Sequence, residues 1–177
     1  VCDIDEVIRI IRESREREEA ILSLMEHAFR ITPDHRYAPL IPTRVAEASR
    51  VGDGARTKLV NNLLAGINLV GAAEVMALSE HLGLSLDTTL SVIEQSSGQS
   101  WIGSERMRRA LVNDLAPRAH MTLLTKDTAL AVEAAKKAGF HGVLGPVAAQ
   151  AFAQACQAGL ADADDAAMLQ WLRQQQR

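Results

Sequence analysis

The sequence predicts an all-α protein, a helical bundle around a long buried central helix. Strand signals are nearly absent, with aromatic residues at only 3%. Apolar residues recur at helical intervals, and alanine is abundant throughout. With 177 residues, 47% of them apolar and 23% charged, the chain can bury a core of its own.

Taken in order, Asp5 to Ile31 gives a first helical region. Ile4, Val7, Ile8 and Ile11 form one apolar stripe, and Ile21, Leu22, Met25, Ala28 and Phe29 form another. The charged run Glu13 to Glu19 between them makes this helix bridge solvent or break. Pro33, Pro39 and Pro42 mark an irregular connector, with room for a short helix over 42–51. Residues 1–50 therefore read as a charged helical segment and connector ahead of a helical domain over 51–177.

Asp53 or Gly54 opens the longest element, which runs to about His81 with Gly83 as its C-cap. It is apolar on nearly every face, the mark of a helix surrounded by protein. Gly66 and Gly71 each weaken it by roughly 1 kcal/mol relative to Ala, and close approach by another helix is the expected compensation. Asp87 caps a helix to about Gln95, with Leu90 and Ile93 facing inward. A break at Ser96, Ser97 and Gly98 leads into a helix over about Ser100–Asn113. Another runs from about His120 through Ala138 and ends at Gly139. Pro146 sits in the first turn of the next, which Gly159 closes. Asp162 to Asp165 precede a short last helix holding Met168, Leu169 and Leu172.

The net charge of −3 gives no electrostatic reason to expect nucleic acid or an anionic membrane as partner. Cys2 and Cys156, the two cysteines, have neither metal-ligand spacing nor a disulfide framework, so a reducing, cytoplasmic setting is expected. The first thirty residues are too rich in Arg and Glu for a secretory signal. Leu59 to Leu78 is long and apolar, but Asn61, Asn62, Asn68 and Glu74 would be costly in lipid, so we expect a helix of a soluble protein.

Three constellations could carry chemistry. The first is Gly52-Asp53-Gly54-Ala55-Arg56-Thr57-Lys58, followed by Asn61 and Asn62. Two glycines at a helix entrance leave backbone N–H groups open to an anion. Lys58 and Asn62 share a face one turn in. Apolar surroundings strip a lysine of water and disfavour its charged form, which suits general acid/base work. Yet Gly-x-Gly alone is a weak signal, and a lysine near a helix start usually snorkels to solvent. The second is Ser96-Ser97-Gly98-Gln99-Ser100-Trp101, which could line a polar pocket; composition favours a capped interhelical turn with Trp101 in the core. The third is Lys126-Asp127, adjacent charges in an apolar helix. One of them must point into a site or toward a buried partner, and a structural salt bridge explains it as well. Glu74 reads as pairing within the bundle, His81 as complementing the helix dipole, and Arg106, Arg108 and Arg109 as a solvated face. No phosphate loop, zinc pattern or nucleophile elbow is present.

In this order and separation, the three constellations resemble the C-terminal domain of the β-hydroxyacid dehydrogenases. That family includes 3-hydroxyisobutyrate, tartronate-semialdehyde and threonate dehydrogenases and is related to 6-phosphogluconate dehydrogenase. The resemblance runs from Gly52 through the last helix, and its wording is nearest the threonate branch. It implies a 6-phosphogluconate dehydrogenase C-terminal-domain-like fold, Lys58 as catalytic acid/base, Asn62 on the substrate, and Ser97, Gly98 and Trp101 beside it. Lys126, with Asp127, would reach the NAD or NADP cofactor. It also implies a small hydroxy-acid substrate and a homo-oligomer, a dimer, formed through the helical domain. Residues 1–51 lack the strand and Gly-x-Gly-x-x-Gly turn of a nucleotide-binding sheet. We therefore expect little dehydrogenase activity from this chain by itself, with a nucleotide-binding domain on another chain as a possible partner. The alternative is a non-catalytic helical module, kept for oligomerisation or ligand binding.

Overall fold

A computed structural model describes residues 53–176. The helices expected over 5–31 and 42–51, and the glycine at position 52, lie outside them. The chain divides into two units, Val1–Lys58 and Leu59–Arg177, and the account of packing below concerns the second.

Among the described residues six α-helices follow one another: α1 (Asp53–His81), α2 (Leu86–Glu94), α3 (Trp101–Leu111), α4 (Met121–Lys137), α5 (Leu144–Ala155) and α6 (Met168–Gln175). A wider π-type turn, Cys156–Leu160, extends α5, and a 3-10 turn, Asp165–Ala167, leads into α6. The described residues contain no strand, only an isolated antiparallel bridge between His120 and Asp164. The all-α reading holds.

The helix ends follow local chemistry. Gly83, at φ +73°, ends α1 in a left-handed turn in which Leu84 N–H donates to Ser79 O at 2.9 Å. Gly139 ends α4 in the same way, with Phe140 N–H on Ala135 O. One expected cap is corrected. Ser85, not Asp87, caps α2, because Asp87 already lies in the first turn; there its carboxylate meets Arg108 at 2.6 Å.

The core gathers Leu69 and Met76 of α1, Leu90 of α2, Met107 of α3, Met121 of α4, Phe152 of α5, and Met168 and Leu169 of α6, all essentially closed to solvent. α4 lies along α5, α2 against α3, and α3 against the 3-10 turn and α6. Gly66 lets α1 approach closely: a Cβ there would fall 2.6 Å from Thr128 Cγ2 and 3.2 Å from Phe152. Gly71 has no such role, for nothing lies within 4 Å of where its Cβ would be.

The expectation that α1 is buried on nearly every face is overturned. Leu69, Ala73 and Met76 face the core, whereas Val60, Leu64, Val75 and Leu78 on the other side are exposed. Both faces are apolar, so the pattern could not reveal that one lacks a neighbour among the described residues. Glu74 is likewise exposed on that outer side and has no ion pair among the described residues. His81 is exposed in the last turn of α1.

The arginine cluster is not a solvated face. Arg109 is buried, with Nη1 3.0 Å from Asp164 Oδ1, and Arg106 Nε lies 2.5 Å from Asp165 Oδ1. Asp164 also accepts from the backbone N–H groups of Arg118, Ala119 and Ala166. These donors outweigh the upward push of burial and hold its carboxyl down at about 2. For Asp165 burial wins over the attraction of Arg106 and pushes the carboxyl up to about 6. Burial also pulls against the charge on Arg106, but the Asp165 and Glu105 carboxylates hold its guanidinium above the usual range.

Candidate functional site

α1 and α4 converge one helical turn before Gly66. There the Asn62 side-chain amide donates to Asp127 Oδ2 at 2.8 Å. The cause is the close approach that Gly66 permits, since Thr128, the neighbour of Asp127, is the side chain packed over it. Thr128 directs its own hydroxyl to Leu124 O at 2.7 Å, leaving its methyl toward α1. The N-terminal end of α5 completes this corner, Gly145 lying against Leu63 and Val132.

The adjacent charges of α4 separate as helix geometry demands. Asp127 is buried and turned to α1, while Lys126 is half exposed, its Nζ 3.7 Å from Asp127 Oδ1. Asp127 thus holds a neutral amide on one oxygen and a cation on the other. It fixes the Asn62 carboxamide: Nδ2 faces Asp127, and Oδ1 accepts from Asn61 at 3.3 Å. One N–H of Asn62 remains for a ligand oxygen. The structure so joins two of the predicted constellations, Asn62 with Lys126-Asp127. Lys58, half buried, stands one turn ahead of Asn62 on α1.

The Ser97-Gly98-Trp101 constellation sits elsewhere along the same helix. Ser100 caps α3 through the Gly103 N–H at 3.1 Å, and Gly103 meets α1 at Asn68 and Ala72. That is six to ten residues past Asn62, or roughly 9–15 Å along the axis. Ser97 and Gly98 are exposed, and Trp101 is 56% exposed. The core position that composition favoured for Trp101 is therefore corrected. With Ser100 taken up as the cap, the indole starts the helix on its outer side.

What sequence reasoning missed is the Arg106–Asp165 and Arg109–Asp164 pairing. Its partners lie more than fifty residues apart, so no local spacing betrays it. The doublet Asp164-Asp165 at a helix entrance was the available signal.

Comparison with known proteins gives the arrangement a family. A family model described as the NAD-binding region of NADP-dependent 3-hydroxyisobutyrate dehydrogenase matches residues 52–172. The chain belongs to this family. Among curated 3-hydroxyisobutyrate dehydrogenase-like relatives, it is 31% identical over 138 residues to the L-threonate dehydrogenase of Escherichia coli K12, covering 76% of this chain and 46% of that protein. It is 30% identical over 141 residues to the mitochondrial 3-hydroxyisobutyrate dehydrogenase of Homo sapiens, covering 76% and 42%. A crystal structure of 3-hydroxyisobutyrate dehydrogenase from Salmonella typhimurium superposes with a TM-score of 0.66 at 31% identity, over 76% of this chain and 50% of that one. The chain spans about half the length of the curated relatives it matches.

Membership makes NAD or NADP the cofactor to be accommodated. A dinucleotide's pyrophosphate wants a glycine-rich strand–helix turn, and the described residues hold no strand. What they offer is Lys126, a cation half open to solvent and neutralised on one side only. The described residues fit the edge of a dinucleotide, not its cradle.

Proposed function

We propose that this chain is the substrate-binding and acid/base half of an NAD(P)-dependent hydroxyacid dehydrogenase. Its substrate is a small hydroxy acid, with a threonate-like acid first in line on the L-threonate dehydrogenase relatives. The observation that carries the reading is the Asn62–Asp127 hydrogen bond, with Lys126 on the same carboxylate. It unites residues that the family resemblance assigns separately to substrate and cofactor.

The roles follow from the groups. Lys58 accepts the hydroxyl proton of the substrate. Asn62, its amide held by Asp127, presents its remaining N–H to a substrate oxygen. Lys126 places a positive charge at the cofactor's edge. The nicotinamide, when bound, supplies the two-electron acceptance. We further propose a reducing, cytoplasmic setting, on the sparse cysteines, and self-association through the helical domain. The nucleotide-binding part is supplied outside the residues matched here.

Calorimetric titration of the chain with threonate, 3-hydroxyisobutyrate and NAD⁺ tests this. Heat with one of the acids, lost in Asn62→Ala, supports the reading. Silence with all three overturns it in favour of a non-catalytic helical module. With a nucleotide-binding domain of a relative added in trans, Lys58→Met should abolish NADH formation while leaving acid binding within a few-fold. Clear NAD⁺ turnover by the chain alone would refute the division of labour.

A further inference from the structure

The hydrogen bonds at the α1–α4 corner fix the orientation of two amides, not one. A carboxylate only accepts, so Asp127 obliges Asn62 to turn its NH2 group inward, at 2.8 Å. The Asn62 carbonyl oxygen then faces away from Asp127, and there it accepts from Asn61 Nδ2 at 3.3 Å. That contact commits the NH2 end of Asn61 in turn. Reversing either amide would set two acceptors face to face. The series carboxylate, amide, amide therefore ends in an acceptor, the Oδ1 of Asn61. This oxygen receives no donor among the described residues, and its side chain is exposed.

The geometry points to Asn61 as a specificity-determining residue, whose Oδ1 accepts from a second hydroxyl of the substrate. The inference rests on the dehydrogenase reading above and gives a role to a residue that reading leaves idle. Asn61 and Asn62 follow Lys58 by three and four positions of α1. Side chains so spaced are neighbours, with Cβ atoms roughly 5–6 Å apart, a gap that groups on adjacent carbons of one small acid can span. The two amides ask for different things. The remaining N–H of Asn62 takes any carboxylate or hydroxyl oxygen, and so suits every hydroxy acid. The outer oxygen of Asn61 takes only a group that carries a hydrogen. A carboxylate is repelled there, a methyl offers nothing, and a hydroxyl satisfies it. A site that hydrogen-bonds a hydroxyl disfavours the analogue lacking it, because its own polar group is then left unpaired. Water competes at an exposed amide, so the preference is modest, roughly five- to ten-fold. It ranks a threonate-like acid, with hydroxyls on neighbouring carbons, above 3-hydroxyisobutyrate.

Glycerate and 3-hydroxyisobutyrate differ by a hydroxyl in place of a methyl on the carbon next to the carboxylate, and this pair of probes decides the matter. In calorimetric titration of the full chain, the wild type should bind glycerate roughly five- to ten-fold more tightly than 3-hydroxyisobutyrate. Asn61→Ala should bring the ratio of the two affinities close to one. Its helical circular dichroism should not change, since the side chain it removes is exposed. Asn62→Ala should weaken both acids alike. Equal loss of both acids in Asn61→Ala would make the residue a mere prop for Asn62 and overturn the inference, while the dehydrogenase reading stands. A wild-type ratio near one, or a ratio that Asn61→Ala leaves unchanged, overturns it in the same way. Silence of the wild type with both acids removes the dehydrogenase reading and this inference together.

Discussion

The Asn62 amide and the Asp127 carboxylate, 65 residues apart in the chain, meet at 2.8 Å and tie α1 to α4. A hydrogen bond to a charged acceptor contributes about 1.5–3 kcal/mol, and partial burial of Asn62 sets this one near the lower end. A double-mutant cycle of Asn62→Ala and Asp127→Ala in urea unfolding should therefore give a coupling of about 1–2 kcal/mol. A coupling near zero would mean that the two groups do not meet in solution.

Gly66 determines whether that meeting can occur. Gly66→Ala puts a methyl against Thr128 Cγ2 and Phe152, and overpacking of this kind costs about 1–3 kcal/mol. Thr128→Ser removes the obstructing methyl, so in that background the same substitution should cost less. Calorimetric melting of the four chains reads the difference. Equal penalties in both backgrounds would place the contact elsewhere.

Acid should affect the C-terminal carboxylates in opposite senses. Asp165, raised from 3.8 to about 6, takes up its proton in the folded state first. Stability therefore rises as pH falls from about 7 toward 4, and is lost again as pH climbs through 6. Asp164, lowered from 3.8 to about 2, contributes stability above pH 4 that disappears as pH falls through 2. Urea midpoints should peak between pH 4 and 5, and Asp165→Asn should flatten the limb between 4 and 6. A wild-type limb with the opposite slope would contradict this assignment.

The boundaries of α1 were legible because chemistry announces them, with glycines and Asp53 at its start and Gly83 at its end. Its environment was not. Leu64 and Leu69 are the same residue type, and only the neighbours tell that the first is exposed and the second closed. Lys126-Asp127 was legible as an anomaly, because two charges side by side on an apolar helix cannot both face solvent. Which helix Asp127 would find was fixed by Gly66, sixty-one residues earlier. Arg109 misled for a related reason: beside Arg106 and Arg108 it has the look of a surface run, and its counter-charge comes from the far end of the bundle. Ser97 and Gly98 do form an interhelical turn, whereas Trp101, expected in the core, opens α3 at the surface, and their distance along α1 from Asn62 depends on how α3 docks.

The stretch from Val112 to His120 contains no helix and would pass for slack between α3 and α4. Asp164 holds two of its amides, Arg118 and Ala119, and Ala119 O in turn accepts from Asp165 N–H at 2.9 Å. Arg109 Nη2 donates to Ala116 O at 2.8 Å. In deuterium exchange the Arg118 and Ala119 amides should therefore keep pace with the slow helical ones, opening only when α6 lets go. The irregular strip behaves as a buckle.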